Sequence, residues 1–128
     1  MRDDKLWKVF SEYIRLRDAD EYGYCVCITS GKRIHWTECD AGHFISRRHM
    51  ATKYDEQNVH AQGRFDNRFA AGLQYLYAKE IDRRYGRGTA DKILVRSRMT
   101  KKIDKFEIDH LTIYYKKEAD KLRKLKNL

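Results

Sequence analysis

The amino-acid sequence predicts an α+β domain. Apolar residues recur at helical spacing near both ends of the chain, and an alternating stretch bounded by a turn lies between them. A length of 128 residues at 41% hydrophobic content suits one core better than two, so residues 1–128 are expected to form a single domain.

From Asp3 to Asp20, Leu6, Trp7, Phe10, Tyr13 and Ile14 fall at three- and four-residue steps, as one face of a helix requires. Between Tyr22 and Trp36, Tyr24, Val26 and Ile28 alternate with other residues, Ser30 and Gly31 form a turn, and the chain returns through Arg33, which reads as a hairpin. Glu38 to Arg48 reads as a short strand or loop. Met50 to Gly63 is polar and irregular and is expected to be the longest loop. Asp66 or Asn67 can cap a helix running to Gly86, with Phe69, Leu73, Leu76, Tyr77 and Ile81 as its buried stripe. Thr89 can cap a shorter helix through Leu94. Asp104 with Glu107 makes a capping-box variant ahead of a final helix carrying Ile108, Leu111, Tyr115, Leu122 and Leu125. That near-heptad stripe can pack on its own domain or pair two chains, and a homodimer is the favoured reading.

Lys plus Arg number 28 against 19 Asp plus Glu, a formal charge of +9, which points to a polyanionic partner. The hydrophobic and aromatic content excludes a disordered basic tail. No apolar run approaches the roughly 20 residues of a membrane span, and the N-terminus lacks the apolar stretch of a signal peptide. Cys25, Cys27 and Cys39 are too few to staple a secreted fold, so a reducing, intracellular compartment is expected and the thiols read as small buried residues.

Chemistry concentrates in the middle third, in Asp40-Ala-Gly-His43-Phe44, Asn58-Val-His60-Ala-Gln62 and Asp66-Asn67-Arg68-Phe69. A phosphodiesterase that uses one metal ion needs a neutral imidazole to deprotonate water and hard ligands to hold a divalent cation on the phosphate. His43, Asp40 and Asn67 are of those types. Arg47, Arg48, Lys53, Arg64 and Arg68 crowd the same segment and read as DNA-backbone contacts. Arg83, Arg84, Lys101, Lys102, Lys116 and Lys117 are equally well explained by solubility.

The order His43, Asn58, Asn67, the last at a helix start, resembles the HNH (ββα-metal, or His-Me finger) nucleases. More narrowly, RLRDA at Arg15 to Ala19, AGHF at Ala41 to Phe44, NVHAQ at Asn58 to Gln62, and the continuing NRF with Gly72 resemble the phage lambda NinG, or Rap, recombination family. The resemblance implies a ββα-metal core over about residues 22–86, flanked by an N-terminal helix and a C-terminal helical part over about 89–126. It further implies a phage- or prophage-encoded endonuclease in the bacterial cytoplasm. Such an enzyme cuts branched DNA such as Holliday junctions and D-loops with Mg2+ or Mn2+, alongside recombination proteins. In such enzymes the histidine is the general base, here His43. The central asparagine, here Asn58, ties the loop to that strand, and the helix-initial asparagine, here Asn67, binds the metal. A carboxylate usually precedes the histidine directly. Gly42 stands there, so the second ligand is Asp40 or His60.

Family members also usually bind a structural zinc through four cysteines. Cys27, Ser30, Gly63 and Asp66 occupy those positions, and one thiolate of four makes no tetrahedral zinc site, so zinc is expected to be absent, with Phe65 filling the space. These departures favour, as the alternative, a non-catalytic branched-DNA-binding protein with a degenerate site. A basic nucleic-acid adaptor without any site leaves the three-part motif unexplained.

Overall fold

The computed structural model describes residues 2–69 and 73–128. Gly72 therefore lies outside the described residues. The elements in order are α1 (Asp4–Asp18), β1 (Tyr24–Val26), β2 (Arg33–His35), β3 (Asp40–His43), α2 (Met50–Lys53), β4 (Val59–Gln62), α3 (Arg64–Arg68), α4 (Gln74–Tyr85), α5 (Thr89–Ser97) and α6 (Lys105–Lys126). The architecture is mixed α+β with two small antiparallel sheets, β1 with β2 and β3 with β4. In the first, Cys25 faces Ile34; in the second, Asp40 faces Gln62 and Gly42 faces His60. Among the described residues, no helix is long and apolar enough to cross a membrane.

The apolar stripe of α1 behaves as its spacing demands. Leu6, Phe10 and Ile14 are fully buried against Ala41 of β3, Val59 of β4, and Ile108 and Tyr115 of α6. On the other side of the β3–β4 ribbon, Tyr77 and Ile81 of α4 pack with Ile28, Phe44 and Ile93. The ribbon is thus covered on both faces.

That covering corrects the long loop expected over Met50 to Gly63. The segment holds a one-turn helix and then β4, whose four residues are all buried. A strand buried on both faces shows no alternation, and the polar His60 and Gln62 within it read as loop. The helix expected from Asp66 or Asn67 to Gly86 is also interrupted. Gly63 occupies the N-cap of α3, and Phe69 closes it by donating its N–H to Phe65 O at 2.8 Å. Asp66 and Asn67 spend their side chains on Thr29 and Asp40 rather than on capping. Leu73, at φ 48°, redirects the chain into α4. Phe69 and Leu76 are consequently exposed rather than buried. Thr89 is the first residue of α5, with Gly88 at the cap, and its hydroxyl donates to Gly86 O at 2.7 Å.

Half of the expected capping box is seen: Asp104 Oδ1 accepts the Glu107 N–H at 2.8 Å, while the Glu107 carboxylate pairs with Lys101 at 3.2 Å. The α6 stripe packs on its own chain: Ile108, Leu111 and Tyr115 join one α1 cluster, Ala119 and Leu122 another. Only Leu125 of that stripe stands exposed, so the seam offered for pairing two chains is already occupied.

The segment Arg15 to Ala19 has a definite task. Arg17 donates from Nη1 to Glu56 O and from Nη2 to Val59 O, each at 2.8 Å, and from Nε to Asp18 Oδ1 at 2.8 Å. Asp18 Oδ2 in turn accepts the Ala61 N–H at 2.8 Å. The end of α1 thereby closes the edge of β4 that β3 leaves open. Arg17→Met should cost roughly 2–4 kcal/mol, because Asp18 loses its cation and two carbonyls their donor. The shift of the urea midpoint measures it.

Candidate active site

A cleft of about 660 Å³ runs along β3, whose only sheet partner is β4. Its walls come from α1 (Trp7, Ser11, Arg15), β3 (Asp40, His43), the following turn (Arg47), α3 (Arg64, Asn67, Arg68) and the start of α4 (Gln74). His43, Asp40 and Asn67, singled out from sequence, therefore meet in one place.

His43 ends β3 and lies against Trp7, with ring centroids 5.0 Å apart and planes 27° apart. Its Nε2 is 3.0 Å from the carbonyl oxygen of Lys53. A carbonyl only accepts, so Nε2 carries the proton and Nδ1 keeps its lone pair. Burial, aided by the Arg47 and Lys53 cations and opposed by the Lys53 carbonyl, lowers the imidazole pKa to about 4. The ring is therefore neutral at ordinary pH and available as a base.

Asn58 does not line the cleft; it builds it. Fully buried, it accepts the Ile45 N–H at 2.8 Å through Oδ1 and donates from Nδ2 to Ile45 O and Thr52 O, each at 3.0 Å. These bonds tie the chain just beyond His43 to the turn whose next residue, Lys53, orients the imidazole.

Asp40 opens β3 and faces α3. Arg68 grips it with Nε at 3.0 Å and Nη2 at 3.1 Å, Asn67 Nδ2 donates to it at 2.9 Å, and Arg64 Nε lies 3.7 Å away. Its side chain is 17% exposed. Gly42, between Asp40 and His43, lies close under the side chain of Gln62. A Cβ there would lie 2.1 Å from Gln62 Oε1 and 3.1 Å from Asn67 Oδ1. The carboxylate expected directly before the histidine is absent because glycine stands there, and a side chain in its place would have to displace the end of Gln62.

Two sequence-based candidates fall elsewhere. His60 lies on the α4 side of the ribbon, its Nε2 2.7 Å from the Tyr85 hydroxyl and its Nδ1 3.3 Å from that of Tyr77. Tyr77 donates onward to Gly42 O at 2.6 Å, leaving Tyr85 to donate to Nε2 and Nδ1–H to donate to Tyr77. With both nitrogens engaged in the core, His60 is a packing residue and not a ligand facing the cleft. Burial, together with the Arg17 cation, lowers its pKa to about 3. Lys53 Nζ is held by Asp3 at 2.7 Å and is largely buried, which withdraws it from the proposed phosphate contacts. Arg48 is exposed beside the cleft lining, whereas Arg47, Arg64 and Arg68 line it.

Sequence reading missed Trp7, Ser11 and Arg15. They sit four residues apart on one face of α1, a spacing visible in the chain, but which face meets the cleft is decided only by packing. Against four arginines, Asp40 is the single carboxylate in the lining among the described residues.

The corner named for zinc is also assembled. Cys27 Sγ accepts the N–H groups of Gly63 at 3.2 Å and Ser30 at 3.4 Å. Asp66 Oδ2 accepts from the Thr29 hydroxyl at 2.6 Å, and Gln62 Nε2 donates to that hydroxyl at 3.1 Å. Burial pushes the Cys27 thiol pKa up, but those N–H donors outweigh it and leave the pKa below its ordinary value. Phe65 does not fill this space; it is 70% exposed, and Ile34 closes against Gly63 instead. Among the described residues, no group of three or more His, Cys, Asp and Glu side chains is arranged to hold a metal ion. Asp40 and Asn67 bring hard oxygen donors to the cleft, whose lining also includes Ser11, Ser46 and Gln74.

Fold and cleft together define a basic α+β protein organised around a neutral histidine and a group of arginines. The chain belongs to the family of the bacteriophage lambda NinG protein, whose model matches residues 2–127. No curated protein and no solved structure shows a significant match.

Proposed function

We propose that this protein is a divalent-metal-dependent endonuclease acting on branched DNA recombination intermediates, such as Holliday junctions and D-loops. The observation that carries the reading is His43, neutral and oriented by the Lys53 carbonyl, in a cleft lined by Arg15, Arg47, Arg64 and Arg68. Membership of a bacteriophage family and the succession β3, β4, α3 support it.

In this mechanism the arginines bind the phosphates flanking the scissile bond. His43 Nδ1 takes a proton from a water molecule, whose oxygen attacks phosphorus as the 3′ oxygen departs and is protonated by solvent. Asp40 and Asn67 would hold Mg2+ or Mn2+, which when bound supplies charge neutralisation at the phosphate and leaving oxygen. Arg64 and Arg68 have then to exchange Asp40 for phosphate oxygens. At the Cys27 corner, hydrogen bonds from Thr29, Ser30 and Gly63 take up the polar groups.

A second reading, a non-catalytic branched-DNA-binding protein, is favoured by glycine in place of the usual carboxylate at position 42 and by the ion pairs on Asp40. Incubation with a four-way junction and with linear duplex, in Mg2+, Mn2+ or EDTA, separates the two. Metal-dependent cleavage of the junction is expected; junction binding without cleavage in any metal establishes the second reading.

A further inference from the structure

Phe65, in the five-residue helix α3, and Phe69, the residue that closes it, are 70% and 77% exposed, their ring centroids 5.9 Å apart. They lie one helical turn apart. At 3.6 residues per turn, their face is about a third of a turn round from that of Arg64, Asn67 and Arg68, which all reach Asp40. One short helix thus presents guanidinium groups to the cleft and two adjoining aromatic rings beside it.

Paired bare phenylalanines on a soluble surface call for an occupant, and the neighbouring charge says which. The cationic face suits a phosphate backbone, so whatever reaches the rings arrives attached to one. In linear duplex the base faces are closed by stacking, and only bases unpaired or unstacked at a branch expose them. Aromatic side chains bind such bases through their π faces with little regard for sequence.

We propose that Phe65 and Phe69 form a stacking platform for unpaired bases at a DNA branch point and so determine the preference for branched over linear DNA. The proposal rests on the reading that the cleft takes DNA phosphates. It adds what the arginines lack, since backbone contacts alone favour neither substrate.

The test compares the parent with the Phe65→Ala/Phe69→Ala double variant. Neither side chain belongs to the core, so matching thermal melts are expected. Binding is measured in EDTA at fixed salt, in competition between linear duplex and a junction carrying unpaired thymines at its branch, and permanganate reactivity of those thymines reports stacking. The parent is expected to prefer the junction and to shield the thymines. The variant is expected to bind duplex as the parent does, but to lose about tenfold of the preference, the worth of one stacked base, and the shielding with it. Retained preference and shielding in the variant overturn the platform alone; failure of the parent to bind either DNA overturns the underlying reading as well. Sedimentation adds a further outcome. A parent dimer that becomes monomeric in the variant, with junction preference unchanged, assigns the rings to a second copy of the chain and overturns the proposal.

Discussion

His43→Ala is expected to cleave a four-way junction about 10²–10⁴-fold more slowly than the parent, the usual contribution of a positioned acid–base group, while binding it equally well. Among the described residues the imidazole bonds to Lys53 O and stacks on Trp7. Removing it therefore takes away the proposed base and leaves Arg15, Arg47, Arg64 and Arg68 in the cleft lining. The pH profile sharpens the test. An imidazole at its ordinary pKa gives a rate rising through about 6.5. Burial lowers His43 to about 4, so the neutral, active form persists from high pH down to about 5 and is lost as pH falls through about 4. Single-turnover cleavage by the parent should accordingly be flat between pH 6 and 8 and decline on the acid side. Cleavage by the variant at the parent's rate overturns the role of His43, and a rise centred near 6.5 shows the ring to be better solvated than its packing on Trp7 implies.

Asn58→Ala should destabilise the protein by about 3 kcal/mol, the second large effect. Its side chain satisfies the Ile45 N–H and the carbonyls of Ile45 and Thr52, and alanine leaves all three without that partner. Urea denaturation reads this directly. Asn58→Asp should cost at least as much, because it sets a buried carboxylate oxygen against the Ile45 and Thr52 carbonyls with no donor for either. Folded Asn58→Ala should also cut slowly while binding normally, because the turn carrying the Lys53 carbonyl is no longer held against the end of β3. A variant as stable as the parent shows that water replaces the amide at no cost.

Elements whose one face is wet were legible in the sequence. The α1 stripe and the Asp104 cap follow from a local pattern, and so does the β1–β2 hairpin, although its alternating Tyr24 and Val26 face solvent and Cys25 is the buried residue of β1. β4 was not, because a strand covered by α1 on one face and α4 on the other shows no alternation, and its buried His60 and Gln62 look like loop residues. The break between α3 and α4 was hidden for a related reason. Asp66 and Asn67 have capping chemistry, and only the positions of Thr29 and Asp40 decide that they do something else. Within the site, residue type and order brought out His43, Asp40, Asn58 and Asn67, which lie within 28 positions of one another. Trp7 and Arg15 come from a remote helix, and His60 carries ligand chemistry that its two tyrosines have already taken up. Local pattern reports neither circumstance.

Lys126 places its ammonium on the carbonyls of Leu16, Arg17 and Ala19, at 2.7, 3.2 and 2.6 Å, where α1 ends, and Arg123 pairs with Glu12 one face further along. These bonds join residues about 110 positions apart. At bacterial and eukaryotic elongation rates that separation amounts to on the order of ten seconds of synthesis. During that interval the nascent chain has α1 but not the helix that clasps it, and α1 is the element bearing Trp7 and Arg15. Until α6 is made, the wall carrying Trp7 and Arg15 lacks the bonds from Lys126 and Arg123 that hold α1 in the finished fold.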